Sequence, residues 1–119
     1  MGSFDATALV VDDDESLRML VRVNLELEGF TVREAATLEE ADAAVRTERP
    51  DVVLLDMHLG ADESTPLLLR LRSAGIPVAV VTGSADTAEF VGVADAVLTT
   101  PFAPASLVEI ARRLARVSS

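Results

Sequence analysis

Two patterns of apolar residues alternate along this chain. Five short runs contain apolar residues, several of them almost without interruption, and the longer segments between them carry apolar residues at intervals of three and four. The short runs are residues 6–11, 30–34, 51–55, 77–82 and 95–99. Continuous apolar runs are typical of strands buried on both faces, whereas the three-and-four spacing is typical of amphipathic helices. The pattern therefore predicts five strands, each followed by a helix.

Capping and terminating residues support the first two helices. Gly29 follows the first amphipathic segment and can end a helix by adopting a left-handed conformation. Thr37 and Glu40 have the spacing of a capping box at the start of the second helix, and Pro50 prevents that helix from continuing. We expect both helices to be well defined.

The later helices differ in how clearly the sequence marks them. A third helix is predicted to begin near Ser64 or Thr65, with Pro66 in its first turn, and a fifth opens near Pro104. The segment between Thr82 and the last strand is short and contains two glycines, so it leaves room for a fourth helix of only one or two turns. Strands that alternate with helices through short connections require right-handed crossovers and a parallel sheet. The prediction is a single domain over residues 1–119, with a three-layer, doubly wound α/β fold.

Composition and charge exclude several classes of function. The chain carries 20 acidic residues against 10 basic ones, all arginine, for a net charge of -10. This balance repels polyanions, so we expect no direct binding to nucleic acid. There is no cysteine for disulfides or thiolate metal sites, and no apolar run reaches the roughly 18 residues of a membrane span. We expect a cytoplasmic protein.

Acidic residues follow two of the predicted strands. Asp12, Asp13 and Asp14 come directly after the first run, and Asp56 comes directly after the third. Parallel strands deliver these acids to one edge of the sheet, which is where open α/β sheets bind ligands. Asp14 or the following Glu15 is the better candidate for stabilising the first helix. Clustered carboxylates are tolerated when a cation compensates their charge or when one of them keeps a proton, and all-oxygen ligands favour a hard ion such as magnesium. A carboxylate beside such an ion is also a credible nucleophile toward a phosphoryl group.

Four segments together resemble response regulator receiver domains over essentially the whole chain. They are residues 9–18 (LVVDDDESLR), residues 54–56 (LLD), Val81-Thr82 and Pro101-Phe102. The resemblance implies a flavodoxin-like, five-stranded sheet of order 2-1-3-4-5. It also implies a regulatory domain that is not an enzyme. Its partners would be a sensor histidine kinase or phosphotransfer protein, and a downstream effector or a second copy of the chain.

The resemblance also assigns roles to individual residues. Asp56 would accept the phosphoryl group, and Asp12 and Asp13 would be the acidic pair. Magnesium would be held at these three carboxylates, with the backbone carbonyl of His58 as a further ligand. Thr82 resembles the hydroxyl residue that senses the phosphoryl group. His58 and Ser84 stand at positions that vary among family members and set the lifetime of the phosphoryl group.

Three features depart from the family pattern. Thr100 stands where receivers generally have a lysine, and no other lysine occurs in the chain. Val97 replaces the expected aromatic switch residue, and the interval from Thr82 to Thr100 is shorter than in the family. The peptide bond between Thr100 and Pro101 resembles one that is cis in the family, and proline makes the cis isomer accessible here. We expect an atypical receiver in which phosphorylation is weakly coupled to conformational change.

Two other functions compete with this interpretation. The first is a pseudo-receiver, a phosphorylation-independent interaction module, which the missing lysine and aromatic residue favour. The second is an enzyme or nucleotide carrier of flavodoxin-like fold. Such proteins place a phosphate-binding loop of Gly, Ser or Thr after the first strand, whereas this chain has four acids there, which would repel phosphate in the absence of a metal ion.

Overall fold

The computed structural model describes residues 6–59, 62–83, 90 and 92–118. Within these ranges the strands are β1 (Thr7–Val11), β2 (Thr31–Ala35), β3 (Val52–Asp56), β4 (His58–Leu59), β5 (Asp62–Glu63), β6 (Val78–Gly83) and β7 (Ala96–Thr100). The helices are α1 (Glu15–Leu27), α2 (Leu38–Thr47), α3 (Thr65–Ser73) and α4 (Pro104–Ser118). All five predicted strands are present, each within two residues of its predicted ends.

Five strands form one parallel sheet in the order β2-β1-β3-β6-β7. Numbered among themselves along the chain, these strands have the order 2-1-3-4-5, which confirms the expected topology. The remaining strands, β4 and β5, pair in an antiparallel two-residue hairpin between β3 and α3. The sequence pattern did not predict this hairpin, since two-residue strands are too short to show a periodicity.

Alternate residues of the central strands enter two separate cores. Leu9 and Leu55 belong to a cluster that also contains buried residues of α2 and α3. Val10 and Leu54 belong to a second cluster, which contains buried residues of α1 and α4. Because successive strand residues point to opposite faces, a run that is apolar throughout covers both sides of the sheet. This arrangement confirms the three-layer architecture.

The helix ends show how the sequence fixes local structure. Asp14 is the N-cap of α1, and its carboxylate accepts hydrogen bonds from the amides of Ser16 and Leu17. Gly29 follows that helix with a φ of 99°, as its position predicts. Thr37 caps α2 by accepting from the amide of Glu40. The carboxylate of Glu40 accepts in return from Ala36, one residue before the cap, so the capping box is slightly displaced.

The predicted short fourth helix falls largely outside the described residues, which omit 84–89 and 91. Within this segment Phe90 is described, and its side chain is buried in the same cluster as Leu9. Across the described ranges, no helix is long and apolar enough to cross a membrane.

Candidate metal centre

Three carboxylates meet at the carboxyl edge of the sheet. Asp12 and Asp13 follow β1, and Asp56 is the last residue of the neighbouring strand β3. The two strands are in parallel register, with Val11 opposite Leu55, so their ends deliver these acids to one place. One oxygen of each carboxylate lies within 4.8 Å of the others. The structure thus brings together the three acids that the sequence singled out.

Asp12 is the least exposed member of the cluster. Only 4% of its surface is accessible, and its Oδ1 accepts a 2.9 Å hydrogen bond from the amide of Asp14. Burial, together with the negative charges of Asp56 and Asp13, raises the pKa of Asp12 to about 6, against the lowering effect of that hydrogen bond. A cation at the cluster would offset both the burial cost and the mutual repulsion.

The donor set fits magnesium. Oxygens that bind one Mg²⁺ ion octahedrally at about 2.1 Å lie roughly 3 to 4 Å apart, and the carboxylate oxygens here all lie within 4.8 Å of one another. Asp13 is exposed and Asp56 half-buried, so the cluster has an open side for water molecules, which magnesium usually retains. Asp12, Asp13 and Asp56 could therefore hold the ion without rearrangement of the strands.

Arg18 anchors the loop that carries Asp12. Its guanidinium donates a 2.8 Å hydrogen bond to the backbone carbonyl of Asp12 and another of 2.8 Å to the carboxylate of Glu34 on β2. Glu34 also receives a hydrogen bond from Arg22, and both arginines lower the pKa of its carboxyl against the effect of burial. Arg18 is not among the site residues predicted from the sequence, because an arginine on an amphipathic helix usually faces solvent.

Ser64 anchors the main chain at Asp56. Its side chain is fully buried, and its hydroxyl donates a 2.6 Å hydrogen bond to the backbone carbonyl of Asp56. The sequence suggested Ser64 only as a possible start of a helix. The sequence signal that could have revealed more is a serine directly before a helix whose first turn already contains Pro66.

Thr82 and Thr100 lie on the two strands beyond β3. Thr82, in β6, follows the residue that pairs with Asp56, and it is buried. Among the residues that the structure describes, its Oγ1 has no hydrogen-bond partner. Thr100 ends β7, where its hydroxyl lies 3.4 Å from the carbonyl of Thr82 and its peptide bond to Pro101 is cis.

Three other residues singled out by the sequence are His58, Val97 and Ser84. His58 opens β4, two residues after Asp56, and pairs with Glu63 across the hairpin. Val97, in β7, is partly buried against the cluster that contains Leu9. Ser84 lies outside the described residues.

Comparison with known proteins agrees with this geometry. The profile of the response regulator receiver domain matches residues 8–112. The chain is 37% identical over 105 residues to the DNA-binding response regulator MtrA of Mycobacterium tuberculosis, covering 84% of this chain and 46% of that protein. It is 32% identical over 110 residues to the phosphate regulon transcriptional regulatory protein PhoB of Pseudomonas aeruginosa, covering 86% and 48%. The chain thus spans about half the length of these relatives.

Solved structures show the same fold. A CheY-like response regulator receiver domain protein from Methanospirillum hungatei superimposes with a TM-score of 0.85 at 28% identity, covering 97% of each chain. NtrX from Brucella abortus gives a TM-score of 0.88 at 28% identity, covering 97% of this chain and 28% of that one. The topology, the acidic edge and the profile match lead to one conclusion. This chain belongs to the response regulator receiver domain family.

Proposed function

We propose that this chain is a phosphoryl-accepting receiver whose acceptor is Asp56 and whose acidic pair is Asp12 and Asp13. The observation that carries the proposal is the approach of these three carboxylates within 4.8 Å at the carboxyl edge of β1 and β3. Three acids gathered around a partly buried position favour a bound cation over isolated surface charges. The backbone carbonyl of His58 is the proposed fourth protein ligand.

Phosphoryl transfer needs little from the protein beyond positioning and charge compensation. An Asp56 carboxylate oxygen forms a new bond to phosphorus, while the bond from phosphorus to the donor's nitrogen or oxygen breaks. The donor atom keeps that electron pair and takes up a proton. Magnesium bound at the cluster supplies positive charge that offsets repulsion between the anionic donor and the carboxylate.

Thr82 is the proposed sensor of the phosphoryl group. Its buried hydroxyl has no hydrogen-bond partner among the described residues, and a buried donor without a partner costs free energy. An oxygen acceptor attached to Asp56 would supply one, because Thr82 follows the strand partner of Asp56.

The coupling of this site to the rest of the domain is proposed to be weak. A threonine hydroxyl at residue 100 supplies no positive charge to hold phosphoryl oxygens, unlike the lysine that the family resemblance implies. Val97 also lacks the ring of an aromatic switch residue. Thr100 and Val97 therefore support an atypical receiver, in which phosphorylation changes the conformation of the domain only weakly.

The proposed partners are a sensor histidine kinase or phosphotransfer protein, and an effector or a second copy of the chain. MtrA is named a DNA-binding response regulator and PhoB a transcriptional regulatory protein, but this chain spans about half the length of each. With a net charge of -10, residues 1–119 are proposed to act as a regulatory domain that is neither an enzyme nor a direct ligand of DNA. A cytoplasmic location is proposed with these partners.

Small-molecule phosphodonors test the acceptor directly. The chain is incubated with acetyl phosphate and magnesium, and the intact mass is recorded for the unmodified protein, Asp56→Asn and Asp42→Asn. Asp42 is a matched control, since it lies on α2 and pairs with Arg70 away from the cluster. One phosphoryl group should be gained by the unmodified protein and the control. A gain that survives in Asp56→Asn would disprove the assignment of the acceptor, and no gain in any protein would disprove phosphorylation by such donors.

The pseudo-receiver remains the second candidate function, because Thr100 and Val97 depart from the family pattern. A magnesium titration separates the two candidates, since a module that needs no phosphorylation has no requirement for the ion. Amide NMR spectra recorded with and without beryllofluoride, a mimic of the phosphoryl group, then test whether the site is coupled to the rest of the domain. Shifts confined to the neighbourhood of Asp56 agree with weak coupling, whereas large shifts through β7 contradict it.

A further inference from the structure

Ser64 occupies a helix N-cap without capping the helix. It precedes α3, where a serine hydroxyl usually accepts a hydrogen bond from the first free amides. Here its side chain makes no such bond, and Pro66 already removes one free amide from the first turn. The hydroxyl is fully buried all the same. The hydroxyl therefore makes its hydrogen bond outside the helix.

The hydroxyl is directed to the acidic site. Ser64 Oγ donates a 2.6 Å hydrogen bond to the carbonyl of Asp56, and the amide of Ser64 donates a 3.2 Å bond to the carbonyl of Met57. Two successive carbonyls are thus tied to one residue across the β4–β5 hairpin. The chain that leaves β3 is fixed at the residue whose carboxylate joins the cluster.

This contact matters because a metal ligand acts only within a narrow geometric tolerance. A side chain must be held within about 0.5 Å of its working position, and groups behind the ligands usually supply that restraint. Asp56 is the last residue of β3, and the amide of the next residue, Met57, donates a 3.3 Å hydrogen bond to the carbonyl of Val81 in β6. The hydroxyl of Ser64 adds a restraint on the carbonyl of Asp56 itself.

We propose that Ser64 is a positioning residue of the metal centre, which acts by fixing the backbone of Asp56 and of the residues that lead to His58. The inference rests on the proposed magnesium site. It adds a residue that touches neither the ion nor the phosphoryl group, and it assigns the hydroxyl, rather than the size of the side chain, as the active feature.

Magnesium affinity in Ser64 variants tests this role. Calorimetric titration with MgCl₂ is performed on the unmodified chain, Ser64→Ala, Ser64→Cys and Ser73→Ala. Ser64→Cys nearly preserves the volume while replacing the hydroxyl with a weak thiol donor. Ser73, exposed in the last turn of α3, provides the control. Thermal unfolding in EDTA is measured in parallel, so that affinity refers to folded protein.

We expect a loss of about tenfold in affinity for Ser64→Ala, a similar or smaller loss for Ser64→Cys, and no change for Ser73→Ala. A purely structural serine would lower the metal-free melting temperature and leave the affinity of the folded protein unchanged. Unchanged affinity in both Ser64 variants, or in Ser64→Cys if Ser64→Ala does not fold, overturns the inference alone. Failure of the unmodified chain to bind magnesium overturns the proposed metal site as well.

Discussion

The hydroxyl of Thr100 donates a long hydrogen bond of 3.4 Å to the backbone carbonyl of Thr82. This contact joins the ends of β6 and β7, next to the register pair of Gly83 and Thr100. The side chain of residue 100 is therefore engaged with the main chain and carries no charge. Residue 100 cannot compensate the negative charge of the acidic cluster, so we expect the cluster to depend more strongly on a bound ion.

Replacing Thr100 with lysine should restore a fixed positive charge. An ammonium within reach of the carboxylates favours their ionised form, so Thr100→Lys should lower the pKa of Asp12 from about 6 toward its ordinary value of 3.8. Carboxyl ¹³C chemical shifts, followed against pH without metal, measure this change. Thr99→Lys is the control, because successive strand residues point to opposite faces. An equal shift in both variants would show a general charge effect rather than one specific to the site.

The raised pKa of Asp12 predicts a pH dependence of stability in metal-free protein. Its pKa is about 6 in the folded chain and 3.8 ordinarily, so the folded state binds its proton more tightly. The contribution of Asp12 to stability should then be greatest below about pH 4 and should fall as the pH rises to about 6. The loss should be on the order of 3 kcal/mol in the free energy of unfolding. Urea unfolding in EDTA across this range measures it.

The control for this pH dependence is Asp12→Asn, which keeps an oxygen that can accept from the amide of Asp14. Subtracting its pH profile removes the contributions of other acids, including Glu34, whose lowered pKa acts in the opposite direction as pH falls. The decrease between pH 4 and 6 should be smaller in the variant. Identical slopes in both proteins would show that Asp12 does not titrate as described.

Arg18 should contribute both to stability and to the shape of the acidic loop. Arg18→Met removes charge-assisted hydrogen bonds to the Asp12 carbonyl and to Glu34, at an expected cost of about 1 to 3 kcal/mol in the free energy of unfolding. It should also weaken magnesium binding. Arg22→Met is the matched control, since Arg22 contacts Glu34 on the same helix face. Equal magnesium affinity in the two variants would rule out a specific effect of Arg18.

The N-cap of α2 provides a prediction that is independent of the metal centre. Thr37→Ala removes the hydrogen bond to the amide of Glu40 and should cost about 1 kcal/mol in the free energy of unfolding. Magnesium affinity should stay unchanged. Thr47→Ala, at the opposite end of the helix, should have a smaller effect. A loss of metal affinity in Thr37→Ala would contradict the separation of this cap from the acidic edge.

Much of the fold followed from the sequence because its determinants are local. The apolar runs of the central strands could only be accommodated between two helical layers, and the acids directly after them had to emerge at the carboxyl edge. The cap at Asp14, the turn at Gly29 and the capping pair of Thr37 and Glu40 are short-range features too. These residues interact with neighbours in the chain, so their spacing alone predicts them.

The tertiary structure decided which apolar and polar side chains face inward. Leu20 and Val21 are adjacent apolar residues of α1, yet Leu20 is 45% exposed and Val21 only 3%. The rotation of a helix about its axis depends on the layer against which it packs, and apolar spacing does not fix it to one residue. Ser64 and Arg18 show the same limit for polar groups. Both donate to backbone carbonyls, which every residue carries, so no pairing of side-chain types marks these contacts in the sequence. The sequence by itself determined the layers and the acidic edge, whereas the anchoring of that edge depends on contacts that form only when distant segments pack together.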